Sequence, residues 1–209
     1  MNRFNLSSRA PRFPMNVTFL NRKISEFVAG KGCELSGAVV DPGSEKVDDP
    51  IIVNGSTASI PGHNSEVQLR DFRFMGPVNF CDSWGMLSLL ETELTDFTFS
   101  GKCSQLFLGF KTRGHNISVT GSIAHGFYLC FSHLLGNVVL SDSSVRMIFL
   151  KKTIIEGDLD LSGLRDLRHI TLTKMKVYGR IIVPSDPHLS FVYDELKHYH
   201  GDKVVKAKG

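Results

Sequence analysis

Two carboxylates in the second half of the chain have the type and spacing that acid–base chemistry requires. Asp158 and Asp160 are alternate residues, so in a strand both side chains would project from the same face. An active site built on them would need further acids at equivalent positions of the fold. The positions 21 residues earlier are Asn137 and Val139, so the acidic pair is isolated. We therefore predict no catalytic residue and interpret the chain as a non-enzyme.

The histidines and the short motifs predict no metal and no cofactor. His198 and His200 have the spacing of a chelating pair on a strand, but they lie in a segment that we predict to be helical. The chain contains no glycine-rich phosphate loop, no H-E-x-x-H motif and no G-x-S-x-G motif. Function must then depend on binding.

Three aromatic residues recur at one interval and form the main candidate for a binding surface. Phe107, Tyr128 and Phe149 are spaced by 21 residues, and each lies between two apolar residues that we assign to the core. In stacked strands they would form an outward-facing ladder with a step of about 4.8 Å. A contiguous exposed aromatic strip marks a binding surface, so we predict a protein partner or self-association there. Packing between neighbouring strands, or coverage by a terminal segment, is the alternative interpretation.

Basic residues accompany this strip. Arg113, Lys151 and Lys152 are predicted to lie on or near one face beside the aromatic residues. Cations next to aromatic rings suit acidic protein partners, nucleic-acid strands or anionic lipid head groups. The alternative is that they belong to an ordinary solvated surface. We do not expect a nucleic-acid partner, because the first 25 residues hold basic side chains and no acid while the remaining chain is slightly acidic.

These candidate residues belong to a degenerate repeat of about 20 residues, whose clearest unit is GDLDLSG at 157–163. An apolar anchor recurs at intervals of 19 to 22 residues, and a second apolar residue precedes it by two positions. Alternation with period two predicts a strand with one buried face. The anchors are Ile60, Phe80, Phe99, Val119, Leu140, Leu161 and Val183.

Two further series predict a second and a third strand in each repeat. The third series is Phe74, Leu94, Arg113, Leu134, Ile155 and Val177. Hydroxyl or other small residues, followed by Gly or Asp, come after the anchors and predict corners. We therefore expect an all-β fold, a right-handed parallel β-helix (solenoid) of about six coils of 19–22 residues with short helical caps. An antiparallel sandwich is the alternative.

We divide the chain into four segments. Residues 1–23 are interpreted as a flexible basic arm, 24–50 as an N-terminal cap and loop, 51–184 as the parallel β-helix, and 185–209 as a C-terminal capping helix with a basic tail. No stretch has the apolar length of a membrane span or of a signal peptide. The four cysteines form no C-x-x-C pair, which indicates reduced thiols and a cytoplasmic protein. The acid-free arm also fits export by a bacterial injection system into a host cell.

The units at 70–74, 95–99 and 157–161 resemble worn pentapeptide repeats, in which a central Leu or Phe follows Asp or Asn. The Gly-x-Val-x-Leu rhythm is also similar to that of bactofilins, the bacterial polymer-forming β-helices. Either resemblance implies a scaffold or an interaction surface without attached chemistry. The expected function is that of a non-enzymatic protein-interaction or scaffold protein, compatible with a secreted bacterial effector. The alternatives are a self-assembling structural protein and a carbohydrate-active enzyme.

Overall fold

The computed structural model describes residues 13–27, 33–41, 50–55, 66–109 and 111–207. Within these ranges the chain forms strands in two parallel sheets and two α-helices, α1 (Val17–Phe27) and α2 (Ser190–His200). Short 3-10 turns at Pro187–Leu189 and Gly201–Lys203 flank α2.

The larger sheet contains 14 strands, drawn from the whole described length of the chain. They are β1 (Phe13–Asn16), β3 (Ala38–Asp41), β4 (Ile51–Asn54), β6 (Arg73–Phe74), β7 (Val78–Cys81), β9 (Glu93–Phe99), β11 (Arg113–Val119), β13 (His133–Leu134), β14 (Val138–Leu140), β17 (Ile154–Ile155), β18 (Leu159–Asp160), β20 (Lys176–Val177), β21 (Ile181–Val183) and β22 (Val204–Lys206).

The smaller sheet contains eight strands and carries the aromatic residues of the candidate surface. Its strands are β2 (Cys33–Ser36), β5 (Glu66–Arg70), β8 (Ser83–Leu90), β10 (Lys102–Gly109), β12 (Ser122–Cys130), β15 (Ser144–Val145), β16 (Met147–Lys151) and β19 (His169–Thr173).

Hydrophobic alternation forms these strands and builds the core between them. In β12, Phe127 and Leu129 are fully buried, whereas Tyr128 between them is only half-buried. Burying such an apolar side chain contributes roughly 1.5–3 kcal/mol before conformational entropy is counted. Neighbouring strands come from consecutive repeats, as the pairings of Phe99 with Val119 and of Val119 with Leu140 show. The repeat interval therefore sets the register of the anchors.

The predicted fold class is wrong. We expected an all-β, right-handed parallel β-helix with three strands per coil, but the described residues form sheets of 14 and 8 strands with two eleven-residue helices. Parallel sheets combined with helices indicate an α/β fold rather than a β-helix. Two strands that we predicted as separate form one continuous strand. Leu94 belongs to the predicted third strand and Phe97 to the predicted anchor strand, and both residues lie in β9. The expected three faces reduce to two sheets for this reason.

The position of the first anchor is also corrected. Ile60 lies outside the described residues, and the register partner of Phe80 is Val53 of β4. Val53 and Ile51 are buried with the same alternation as the later strands. A fixed interval missed them because the chain between β4 and β5 is longer than the equivalent connection in later repeats.

The N-terminal segments are more regular than their composition predicts. Within the expected arm, Phe13–Asn16 forms β1, which pairs in parallel with β3. α1 begins at Val17 instead of Ile24 and buries Leu20 and Ile24, one turn apart on the side that faces the core. The segment 24–50, expected to be a cap and loop, also contains the strands β2 and β3. Residues 1–12 lie outside the described part of the chain.

The C-terminal segment contains the expected helix but not a solvated tail. α2 buries Val192 and Leu196, and the chain then returns to the large sheet as β22, which pairs in parallel with β21. Val204 of β22 is buried, and the Lys203 ammonium donates to the carbonyl oxygen of Val177 at 2.8 Å. The 201–207 region is therefore part of the folded body.

Buried hydroxyl groups line the corner that follows the strands of the small sheet. Thr112 donates to the Gly109 carbonyl at 3.0 Å, and Thr153 donates to the Leu129 carbonyl at 2.9 Å. Thr92 and Ser132 make equivalent bonds. The residue before each hydroxyl has a positive φ although none is glycine; these corner residues are Glu91, Lys111, Phe131 and Lys152. The hydroxyls add a second hydrogen bond to carbonyls at the turn, since the Gly109 carbonyl also accepts the Glu91 N–H at 3.2 Å and the Leu90 carbonyl accepts the Asp71 N–H at 2.9 Å.

A second series of polar side chains joins neighbouring repeats at the other end of the short strands. The side-chain oxygens of Asn116, Asn137 and Asp158 accept backbone N–H groups of the following repeat at 2.7–2.9 Å. Glycine is required beside them, because a Cβ atom on Gly157 would lie 2.7 Å from the Gly136 carbonyl oxygen. The isolated carboxylate Asp158 is therefore a structural residue.

Asp158→Asn is expected to lower stability by roughly 1 kcal/mol at neutral pH. The Arg180 backbone N–H, followed by its guanidinium, holds the pKa of Asp158 below its ordinary value against the opposing effect of burial. A lowered folded-state pKa contributes stability above the unfolded value, and this contribution is lost as pH falls through the folded pKa. Urea unfolding at several pH values should show the difference from wild type disappearing below about pH 4. A constant difference at every pH would contradict this assignment.

Candidate binding surface

The structure brings Phe107, Tyr128 and Phe149 together as an aromatic ladder on the small sheet. Phe107 is the register partner of Tyr128, and Tyr128 is the partner of Phe149. The ring centroids are 6.0 and 6.1 Å apart, with the planes tilted by 34° and 47°. We use the name aromatic ladder for these three residues.

The rings of Phe107 and Tyr128 lie against the sheet instead of standing away from it. A Cβ atom on Gly126 would lie 2.8 Å from Cε2 of Tyr128 and 3.0 Å from its hydroxyl oxygen, and one on Gly109 would meet the Phe107 ring. Strand side chains ordinarily stand nearly perpendicular to a sheet. Here glycines two positions away on the same face let the rings fold flat. All three residues are half-buried.

Lys151 and Lys152 lie at the corner beside the ladder, around an aromatic residue that the sequence analysis did not single out. Their ammonium groups are 5.9 and 5.0 Å from the centroid of the Phe131 ring. Phe131 is 38% exposed and has a positive φ, which turns its side chain away from the core. The preceding and following corners carry Lys111 and Lys174. We call Lys111, Phe131, Lys151, Lys152 and Lys174 the basic corner.

Arg113 does not join this surface in the way expected. It lies in β11 of the large sheet, paired with Glu93 and His133, and its side chain is exposed. The inward position that we assigned to it is held by Gly114, the register partner of Leu94 and Leu134. The alternation was displaced by one residue because Gly114 carries no apolar side chain to mark the buried face. Arg113 instead lines a separate cleft of about 500 Å3.

A hollow of about 420 Å3 opens where the aromatic ladder meets the earlier strands. Apolar residues and ladder rings form part of its wall, and polar side chains surround them. The lining residues are Met86, Leu90, Phe107 and Tyr128 with Glu66, Gln68, Ser88 and Gln105. Ser88 donates to the Glu66 carboxylate at 3.2 Å. Strand register places Gln68 and Ser88 in the same row as Phe107, but the sequence pattern gave no sign of a concave surface.

The cysteine thiols and the Asp160 carboxylate lie in environments that fit a structural role better than a catalytic one. Burial raises the pKa of the Cys103 thiol to about 12, and burial also raises the pKa of Cys81 and Cys130, which disfavours the nucleophilic thiolate. Asp160 accepts the backbone N–H of Ser162 at 2.9 Å. Across the described ranges, no group of three or more His, Cys, Asp or Glu side chains is arranged to hold a metal ion.

Comparison with family models, curated proteins and solved structures gives no match to this chain. The resemblance to pentapeptide repeats and bactofilins stays a prediction. None of the described helices is long and apolar enough to cross a membrane.

Proposed function

We propose that the protein is a non-enzymatic binding protein whose aromatic ladder and basic corner take up an acidic, aromatic-containing segment of a protein partner. The observation that supports this most is the continuity of the surface, with three aromatic rings in register and lysines at the corner beside them. Aromatic residues are the side chains enriched at the centre of protein interfaces.

Charge indicates the chemistry of the partner. In the part of the chain that the structure describes, none of the lysines of the basic corner forms an ion pair. Two ammonium groups over the exposed Phe131 ring, with further lysines at the preceding and following corners, favour carboxylates on the incoming segment, and they also raise the rate of encounter with it. Aromatic or aliphatic residues of the same segment would pack on the flat faces of the ladder.

The alternatives have less support. A carbohydrate-active enzyme would need a pair of available carboxylates, but in the pair Asp158 and Asp160 the first pairs with Arg180 and the second caps the following turn. Self-assembly would require accessible sheet ends. At one end of the large sheet the edge strand is β22, which has only three residues and ends in Lys206, and such short basic edges oppose strand addition. Delivery into a host cell stays a hypothesis that rests on the N-terminal arm.

The test uses synthetic peptides in which aromatic residues alternate with glutamates, and a control series with lysine in place of glutamate. We expect fluorescence anisotropy to show binding of the glutamate series alone, weakened by Lys152→Glu and by added salt. Light scattering on the same protein gives its mass without peptide. Equal binding of both series, or a self-association that Lys152→Glu leaves intact, would refute the proposal.

Tyr128→Ala is expected to weaken peptide binding at least ten-fold while changing stability by about 1 kcal/mol. The central ring of the ladder contacts both neighbours but lies outside the core, so its loss leaves the interior packed. The matched control is Tyr178→Ala, which removes a 58% exposed tyrosine next to the large-sheet strand β20. Unchanged affinity in Tyr128→Ala, or an equal loss in both variants, would contradict the assignment.

A further inference from the structure

We propose that the hollow beside the aromatic ladder binds the sugar ring of a neutral oligosaccharide. The inference depends on the proposed function only in that Phe107 and Tyr128 belong to both surfaces. The hollow has its own polar groups, which the protein-binding surface does not use, and these identify the ligand.

The apolar part of the hollow fits a flat, weakly polar face. Met86 and Leu90 lie beside the rings of Phe107 and Tyr128, and glycines at 109 and 126 hold these rings flat against the sheet. Ligand sites of this kind combine an aromatic surface with a few polar groups that fix orientation. One face of a pyranose carries axial C–H bonds and packs on an aromatic ring in this manner.

The polar part of the hollow fits hydroxyl groups. Gln68 and Gln105 each offer an amide that both donates and accepts, and Glu66 offers carboxylate oxygens. Within the described ranges, neither glutamine amide nor the Tyr128 hydroxyl makes a hydrogen bond with the protein. Sugar hydroxyls donate and accept in turn, so they can satisfy this mixture of groups together.

Charge excludes the other common small ligands. Among the described residues no lysine or arginine belongs to the lining of the hollow, so a phosphate or a carboxylate bound there would meet the Glu66 carboxylate without a cation in the same lining. A single carboxylate is too few ligands for a divalent cation, which takes six or more oxygen atoms. A neutral ligand with many hydroxyls and one apolar face is the class that remains.

Saturation-transfer NMR with cellotetraose, xylotetraose, maltotetraose and chitotetraose tests the inference, with adenosine as the control for stacking alone. We expect transfer to at least one oligosaccharide and none to adenosine. Gln105→Ala and Glu66→Gln should each weaken that binding about ten-fold or more, because each removes a hydrogen bond made in a partly desolvated site. Circular dichroism establishes that both variants are folded.

Control variants separate this inference from the proposed function. Phe149→Ala and Lys152→Glu change the ladder and the basic corner outside the hollow, so they should weaken peptide binding and leave oligosaccharide binding unchanged. Gln105→Ala should do the reverse. The inference is overturned if no oligosaccharide binds, if adenosine binds equally, or if folded Gln105→Ala and Glu66→Gln proteins bind sugar as the wild type does.

Discussion

Leu129→Asp is expected to abolish the folded state. Leu129 is completely buried in β12, with Leu108 and Leu150 as its register partners in the neighbouring strands. Truncating a buried leucine costs about 2–5 kcal/mol, and an unpaired carboxylate at that place adds a further desolvation cost. The sum is comparable to the whole stability of an ordinary domain, which is about 5–15 kcal/mol.

Circular dichroism and urea unfolding measure the effect of Leu129→Asp. Leu129→Met, which conserves volume, should lose less than about 1.5 kcal/mol. Tyr128→Asp places the same charge one residue away, on the outer face, and should leave the protein folded. If Tyr128→Asp unfolds the protein and Leu129→Asp does not, the inward and outward faces of β12 are exchanged.

Gly121→Ala is expected to destabilise the protein by about 1–3 kcal/mol, the usual cost of inserting a methyl group where there is no room. A Cβ atom on Gly121 would meet the Gly101 carbonyl oxygen, and it would lie 3.0 Å from the carbonyl carbon and the nitrogen of Gly101. These are backbone atoms of the neighbouring corner, which cannot rotate away as a side chain would. Thermal unfolding should show a midpoint lowered by roughly 2–12 °C.

Gly114→Ala is the matched control, because it makes the same substitution in β11, the strand that ends two residues before Gly121. Its Cβ atom would lie 3.2 Å from the Leu94 carbonyl oxygen and 3.5 Å from Leu134 Cδ2. These contacts are tight but tolerable, and alanine reduces the entropy of the unfolded chain. The net change should stay within about 1 kcal/mol. An equal loss in the two variants would indicate a backbone effect common to glycines rather than the close approach of the corners.

The alternation of apolar residues predicted the registers on which the candidate surface depends. Phe107, Tyr128 and Phe149 are partners because burial of their neighbours leaves only one register for these strands. The same reasoning failed for Arg113, where Gly114 gives no hydrophobic signal. The fold class was wrong because an interval in the sequence shows which residues recur, but not which strands merge into one sheet.

Other parts of the candidate surface depend on local geometry that periodicity does not contain. Gly109 and Gly126 each lie two residues from an aromatic residue on the same face of a strand. The flat orientation of those rings could therefore have been predicted from the sequence. The exposure of Phe131 could not have been predicted in this way, because a positive φ at a non-glycine residue cannot be inferred from its type. The hollow likewise results from the relative sizes of side chains in four neighbouring strands.

The corner residues with positive φ that follow the small-sheet strands carry opposite charges at the two ends of their series. Its successive residues change from acidic to basic along the stack: Asp71, Glu91, Lys111, Phe131, Lys152 and Lys174. The backbone bonds and buried hydroxyls fix this corner, so the outward side chains can vary without disturbing it. A peptide that lies along the corner meets carboxylates at one end and ammonium groups at the other. For a peptide whose acidic residues are concentrated at one end the two orientations are therefore energetically unequal, and such a segment would bind with a defined polarity.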